Sequence, residues 1–231
     1  MEIHAMSSAF NWPQAGCVGL WRFEDDGVDS SGAGNDGTAS AGVTYAFGKF
    51  GKCANLAADY FTLPYSASLK VSNLTISAWY KSTSAGSVET ILACSGIYVG
   101  QPYRYYGYIF ETRAGKVSLK LMSSVLTGNM TINDGLWHHI AATRDDNYAR
   151  IYVDGVLDVE ASGPVTLSYC SHAPASYYWA RAYIGAAYRA MIAPSTIGNF
   201  PTCYLDELQL LDYALSPAQV RRLYAFQIGR M

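Results

Sequence analysis

The chain lacks any apolar run of membrane-spanning length. Its first residues, "MEIHAMSSAFNWPQ", place an acid at position 2 with no apolar core behind it. Those absences argue against a spanning helix and a secretory leader in this sequence. The expectation is a protein kept in the cell that makes it, one released by another route, or a domain cut from a longer secreted chain. An excess of one charge is also missing. The 16 basic and 18 acidic residues leave a net charge of −2, which gives no electrostatic footprint for nucleic acid or anionic membrane. Five cysteines (Cys17, Cys53, Cys94, Cys170, Cys203) show no C-x-x-C spacing, against a zinc ribbon or a thioredoxin-like motif. They read first as small buried hydrophobes in a reducing compartment, with disulfides as the alternative. No G-x-S-x-G elbow and no H-E-x-x-H helix occurs.

What is abundant is tyrosine, 19 residues of 231, a side chain that favours strands and half-wet binding surfaces. Strand patterns dominate. "LTISAWY" sets Leu74, Ile76, Ala78 and Tyr80 on one face, and "KVSLKLM" separates Val117, Leu119 and Leu121 from Lys116, Ser118 and Lys120. Asp154-Gly155 between two alternating runs marks a hairpin. Further strands are expected at 19–24, 60–64, 90–95, 105–112, 137–144, 182–186 and 203–211. One helix stands out after them. Ser216 is placed to cap it, Pro217 suits its first position, and Gln219 completes a capping box. Leu215 and Val220 are set to staple its start, while Arg221 and Arg222 face water. About ten short strands and one helix predict an all-β fold, two antiparallel sheets closed by a C-terminal helix. No repeat or linker divides the chain.

Five segments in order resemble the concanavalin A-like lectin/glucanase superfamily, in its laminin-G-like branch of bacterial and phage surface proteins. They are "GLWRFEDDGVDSSGAGNDGTAS", "GKFGKCANLAADYFTLPYSASL", "LTISAWYK", "DGLWHHIAATRDDNYARIYVDGVLDVEA" and "YLDELQLLDYALSPAQVRRLY". The resemblance implies a jelly-roll sandwich over residues 19–231 behind an N-terminal arm, 1–18. It implies no single function, since that fold hosts lectins, adhesion modules, hydrolases and structural proteins.

The acid-rich loop offers the oxygens that a hard cation wants, without EF-hand spacing. The resemblance implies a structural calcium ion held by Glu24, Asp29, Asn35 and Asp206; the alternative is that these acids make Asx-turns. Glucanases of the resembled fold carry E-x-D-x-E or E-x-D-x-x-E on one strand, absent here. Asp206 and Glu207 are adjacent, so a regular strand would point them to opposite faces. No enzyme is expected. His138 and His139 read as sheet residues on opposite faces, with Leu136 and Trp137 anchoring their strand in the core. Two Tyr-rich stretches exceed the family pattern, with Tyr103, Arg104 and Tyr106 in one and Tyr178, Trp179 and Arg181 in the other. Rings stack on sugars and Arg bonds hydroxyls, yet the same residues dominate protein interfaces, and strand packing accounts for part of them. The expected function is a non-enzymatic binding or adhesion module for carbohydrate or a surface partner, extracellular or on a phage virion. The alternative is a structural virion protein with capsid or homo-oligomer contacts and no glycan binding. A glycoside hydrolase ranks last. Neither nucleic acid nor membrane insertion is expected.

Overall fold

The computed structural model describes residues 15–86, 88–98, 104–122, 124–163, 177–188 and 197–229. Two antiparallel sheets face one another as a jelly-roll sandwich. The first sheet runs β13 (Val156–Ser162), β12 (Tyr148–Val153), β11 (His138–Arg144), β6 (Leu74–Lys81), β17 (Thr202–Leu211), β4 (Lys52–Ala57) and β3 (Thr44–Phe47), with β1 (Cys17–Trp21) also paired to β17. The second runs β10 (Ser124–Thr131), β9 (Lys116–Leu121), β8 (Arg104–Arg113), β7 (Glu89–Tyr98), β14 (Tyr177–Ile184), β5 (Phe61–Thr62) and β2 (Thr38–Ala39). A small ladder joins β15 (Ala187–Tyr188) to β16 (Ile197–Gly198).

The core follows from side-chain alternation. Leu74, Ile76, Ala78 and Tyr80 of β6 meet Tyr108 and Phe110 of β8 between the sheets, as the pattern in "LTISAWY" predicts. The other face of β6 departs from a one-sided strand, because Thr75, Ser77 and Trp79 are buried as well. The helix α1 (Pro217–Ile228) lies over Trp79, and the segment leading into it bonds Thr75, whose Oγ1 donates to the Tyr213 carbonyl and accepts from the Leu215 amide. Val220 and Leu223 of the helix pack with Leu215, Leu211, Ala141 and Tyr152 on the outer face of the first sheet. The predicted capping box is present: Ser216 Oγ accepts from Gln219 N, and Gln219 Oε1 accepts from Ser216 N at 2.8 Å. Among the described residues no helix is long and apolar enough to cross a membrane.

Three local expectations shift. β1 spans Cys17–Trp21 instead of reaching residue 24, because Phe23 lies in the left-handed region at φ 59° and turns the chain. β4 and β10 are strands that no alternating pattern announced. Leu136 does not anchor β11; it is 63% exposed, while Trp137 is half-buried. The strand begins only at His138, so Leu136 sits in the preceding turn, whose amide donates to Asp134 Oδ1.

Candidate functional site

The four expected metal ligands divide into two pairs. Asp29 and Asn35 lie inside the Gly-rich loop and fold it onto β1. Asp29 Oδ1 accepts from the amides of Leu20 and Ser31, and Oδ2 accepts from the Asn35 amide, each at 2.9 Å. The Asn35 carbonyl takes the Trp21 indole N–H at 2.9 Å, and its side-chain amide donates to the Val18 carbonyl and Ser68 Oγ. That is turn chemistry closing a loop over a core Trp.

Glu24 and Asp206 instead grip one turn from two sides. Glu24 Oε2 accepts from the Lys52 amide at 3.1 Å, and Asp206 Oδ2 accepts from the Phe50 amide at 2.8 Å. The turn between β3 and β4 is held close to both acids by glycine. A Cβ on Gly48 would lie 2.6 Å from Asp206 Oδ2, and one on Gly51 would run into the Glu24 carboxylate. The backbone is left-handed on both sides of Glu24, at Phe23 (φ 59°) and Asp25 (φ 69°), and again at Glu207 (φ 48°), directly after Asp206. Non-glycine residues held there cost energy, and such positions gather at functional sites.

Asp206 is fully buried, and its Oδ1 has no hydrogen-bond partner. Burial pushes its carboxyl up to about 7, helped by the neighbouring Glu207 charge, while the amides of Phe50, Lys49 and Glu207 pull the other way. A buried carboxylate in this state lacks a counter-charge, which a cation beside the turn would supply. Among the described residues no three His, Cys, Asp or Glu side chains converge, so further ligands would have to come from carbonyls, amides or water.

The opposite-face expectation for Asp206 and Glu207 does not hold in simple form. β17 carries a bulge between Asp206 and Gln209 where it pairs with β6, centred on the left-handed Glu207, and a bulge breaks strict alternation. Both acids are buried, so neither presents an open carboxylate to a polysaccharide.

The two histidines do take opposite faces. His138 bridges two acids, with Nδ1 2.8 Å from Asp154 and Nε2 3.2 Å from Asp134. His139 is fully buried against Trp79 and Tyr224, with ring centroids 5.5 and 5.7 Å apart.

Of the expected ligand-binding residues, Tyr103 lies outside the described residues. Arg104 and Tyr106 on β8, and Tyr178, Trp179 and Arg181 on β14, are described in their backbone only. That backbone joins the two stretches. β7 lies between β8 and β14, and its register aligns Arg104 with Tyr98 and Tyr177, and Tyr105 with Ile97 and Tyr178. Two segments some 70 positions apart in sequence thus come to one end of one sheet. Sequence alone also missed the 48–52 turn as a partner of the acids; its signal was the glycine spacing in "FGKFGK".

A family model described as the concanavalin A-like lectin/glucanases superfamily matches residues 55–221. No curated protein matches the sequence. Among solved structures, the chain is similar to domain 4 of AbnA, a GH43 extracellular arabinanase from Geobacillus stearothermophilus, solved with arabinotriose. The TM-score is 0.64 at 21% identity, over 91% of this chain and 99% of that one. It is similar to the binding domain of Paraclostridial Mosquitocidal Protein 1 (TM-score 0.64, 14% identity, 90% of this chain, 52% of that one). It is also similar to the receptor binding domain of the botulinum neurotoxin C/D mosaic serotype (TM-score 0.63, 15% identity, 93% of this chain, 52% of that one). The chain spans about half the length of these two toxin domains. At such identities the likeness is one of fold.

Proposed function

The chain belongs to the concanavalin A-like lectin/glucanases superfamily, and we propose that in it this fold serves as a non-enzymatic binding module for carbohydrate, braced by a calcium ion. The observation that carries the proposal is the register of β8, β7 and β14, which brings the Tyr-rich stretches together in adjacent rows. Aromatic residues offer flat apolar faces for sugar rings, and arginines offer forked donors for hydroxyls, the residue types that both stretches carry. The neighbours support the same direction: one is a domain solved with arabinotriose, and others are toxin domains described as binding or receptor binding. The absent glucanase pattern and the burial of Asp206 and Glu207 favour binding over turnover.

Calcium, if bound, would be held by Glu24 and Asp206 with oxygens of the turn at 48–52, and would supply the charge that the buried Asp206 carboxylate lacks. Its role is structural: it ties β17 to the β3–β4 turn and so steadies the sheet from which β17 comes. Asp29 and Asn35 would hold the loop beside it.

The test is binding of the purified chain to arabinotriose and to a broad glycan array, beside Tyr178→Ala and Trp179→Ala variants. Retention of one sugar class, weakened at least tenfold in either variant with an unchanged melting temperature, is the expected result. A chain that is silent on every glycan, or that degrades a polysaccharide, would overturn it. Silence together with self-association would favour a structural role.

A further inference from the structure

The outer face of the first sheet holds a buried imidazole that the proposed binding role does not use. His139 is sealed between Trp79 of β6 and Tyr224 of α1, and neither ring nitrogen has a hydrogen-bond partner. A side-chain bond runs from the sheet to the helix over it, from the Trp79 indole N–H to Gln227 Oε1 at 2.9 Å. A sealed imidazole without acceptors is stable only while neutral. We propose that α1 is an acid-releasable clasp: protonation of His139 undocks the helix from the first sheet, carries Tyr224 away with it and bares Trp79 and His139, while the sandwich stays folded.

The charged and titratable groups around His139 bear on this in opposing ways. From the β12–β13 turn, Asp154 accepts the His139 amide at 2.9 Å and favours the charged ring, but it is already engaged by His138. From α1 comes the Tyr224 phenol, whose pKa burial raises further from neutrality, while Arg221 and Arg222 point to solvent. From the β3–β4 turn, Lys49 Nζ sits 4.4 Å over the Trp79 ring and opposes a second cation nearby. From β17, Asp206 lies across Trp79, in the same row as His139. Burial dominates, holding His139 at about 4 against its usual 6.5. Between those values the released form binds a proton and the docked form does not. Docking is therefore at full strength above about pH 6.5 and weakens as pH falls towards 4, by roughly thirtyfold at pH 5. The helix is the element to yield, because it belongs to neither sheet ladder and rests on the first sheet through one face.

Amide hydrogen exchange of the full chain at pH 7 and pH 5, corrected for intrinsic rates, tests the clasp. Residues 217–228 are expected to open more readily than β6 and β11 at both pH values, and to lose roughly thirtyfold in protection at pH 5. His139→Phe, which refills the slot without ring nitrogens, should remove that pH step. Gln227→Ala should loosen the helix at both pH values and keep the step. A helix that exchanges only together with β6 and β11, or one whose protection is the same at both pH values, would overturn the proposal. So would a pH step that survives in His139→Phe.

Discussion

Asp29 and Asp206 are both buried aspartates of the same sandwich, and their surroundings are opposite. Asp29 receives three backbone amides, all within nine positions of itself in sequence, and closes a loop. Asp206 draws on the amides of Phe50, 156 positions away, of Lys49 and of its neighbour Glu207, and still keeps its Oδ1 without a partner. The difference separates two uses of one residue type. A carboxylate satisfied by amides is a structural fastening; one buried with an unpaired oxygen beside a glycine-bearing turn is built to meet something else.

Removing the fastening should have the largest effect. Asp29→Ala leaves the buried Leu20 and Asn35 amides unpaired and should cost about 3–5 kcal/mol in chemical denaturation, with no rescue by calcium. A cost below about 1 kcal/mol would erase the distinction. Calcium comes next. At a hundredfold excess over its dissociation constant it should stabilise chelator-treated protein by about 2.7 kcal/mol, and Asp206→Asn should abolish that gain. A calcium response that survives Asp206→Asn would move the ion elsewhere.

Gly51→Ala should cost about 1–2 kcal/mol, since it combines a left-handed backbone with a contact on Glu24, and should weaken the calcium response in parallel. Loss of stability with an intact calcium response would separate the turn from the ion. The smallest effect is the most telling. In chelator at pH 8, Asp206→Asn should change stability by less than about 1 kcal/mol, or even stabilise, because the charge it removes is buried and only partly compensated. A large loss there would make Asp206 a fastening like Asp29.

Much of the fold was legible because it rests on local rules. The alternation in "LTISAWY", the Asp154-Gly155 turn and the Ser216–Gln219 box each act within a few residues, and each appears as written. β4 and β10 escaped because "KCANLA" and "SVLTGNMT" lack a clean period; they are recruited by the strands they pair with. Leu136 was misplaced because apolar character does not say whether a residue lies on the strand or in the turn before it. At the candidate site the acids were visible as types and their partners were not, since parity failed at the Glu207 bulge.

By itself the sequence determined the class of fold, the identity of most strands, the helix and its caps, since hydrophobic period and capping chemistry are properties of neighbouring residues. Only the tertiary structure decided that Glu24 and Asp206 share one turn, that Asp29 and Asn35 do not join them, and that β7 brings the Tyr-rich strands together. It alone sealed His139 beneath α1. Those placements depend on strand order and register over more than a hundred residues, where the free energy of packing two sheets outweighs any preference a short segment carries.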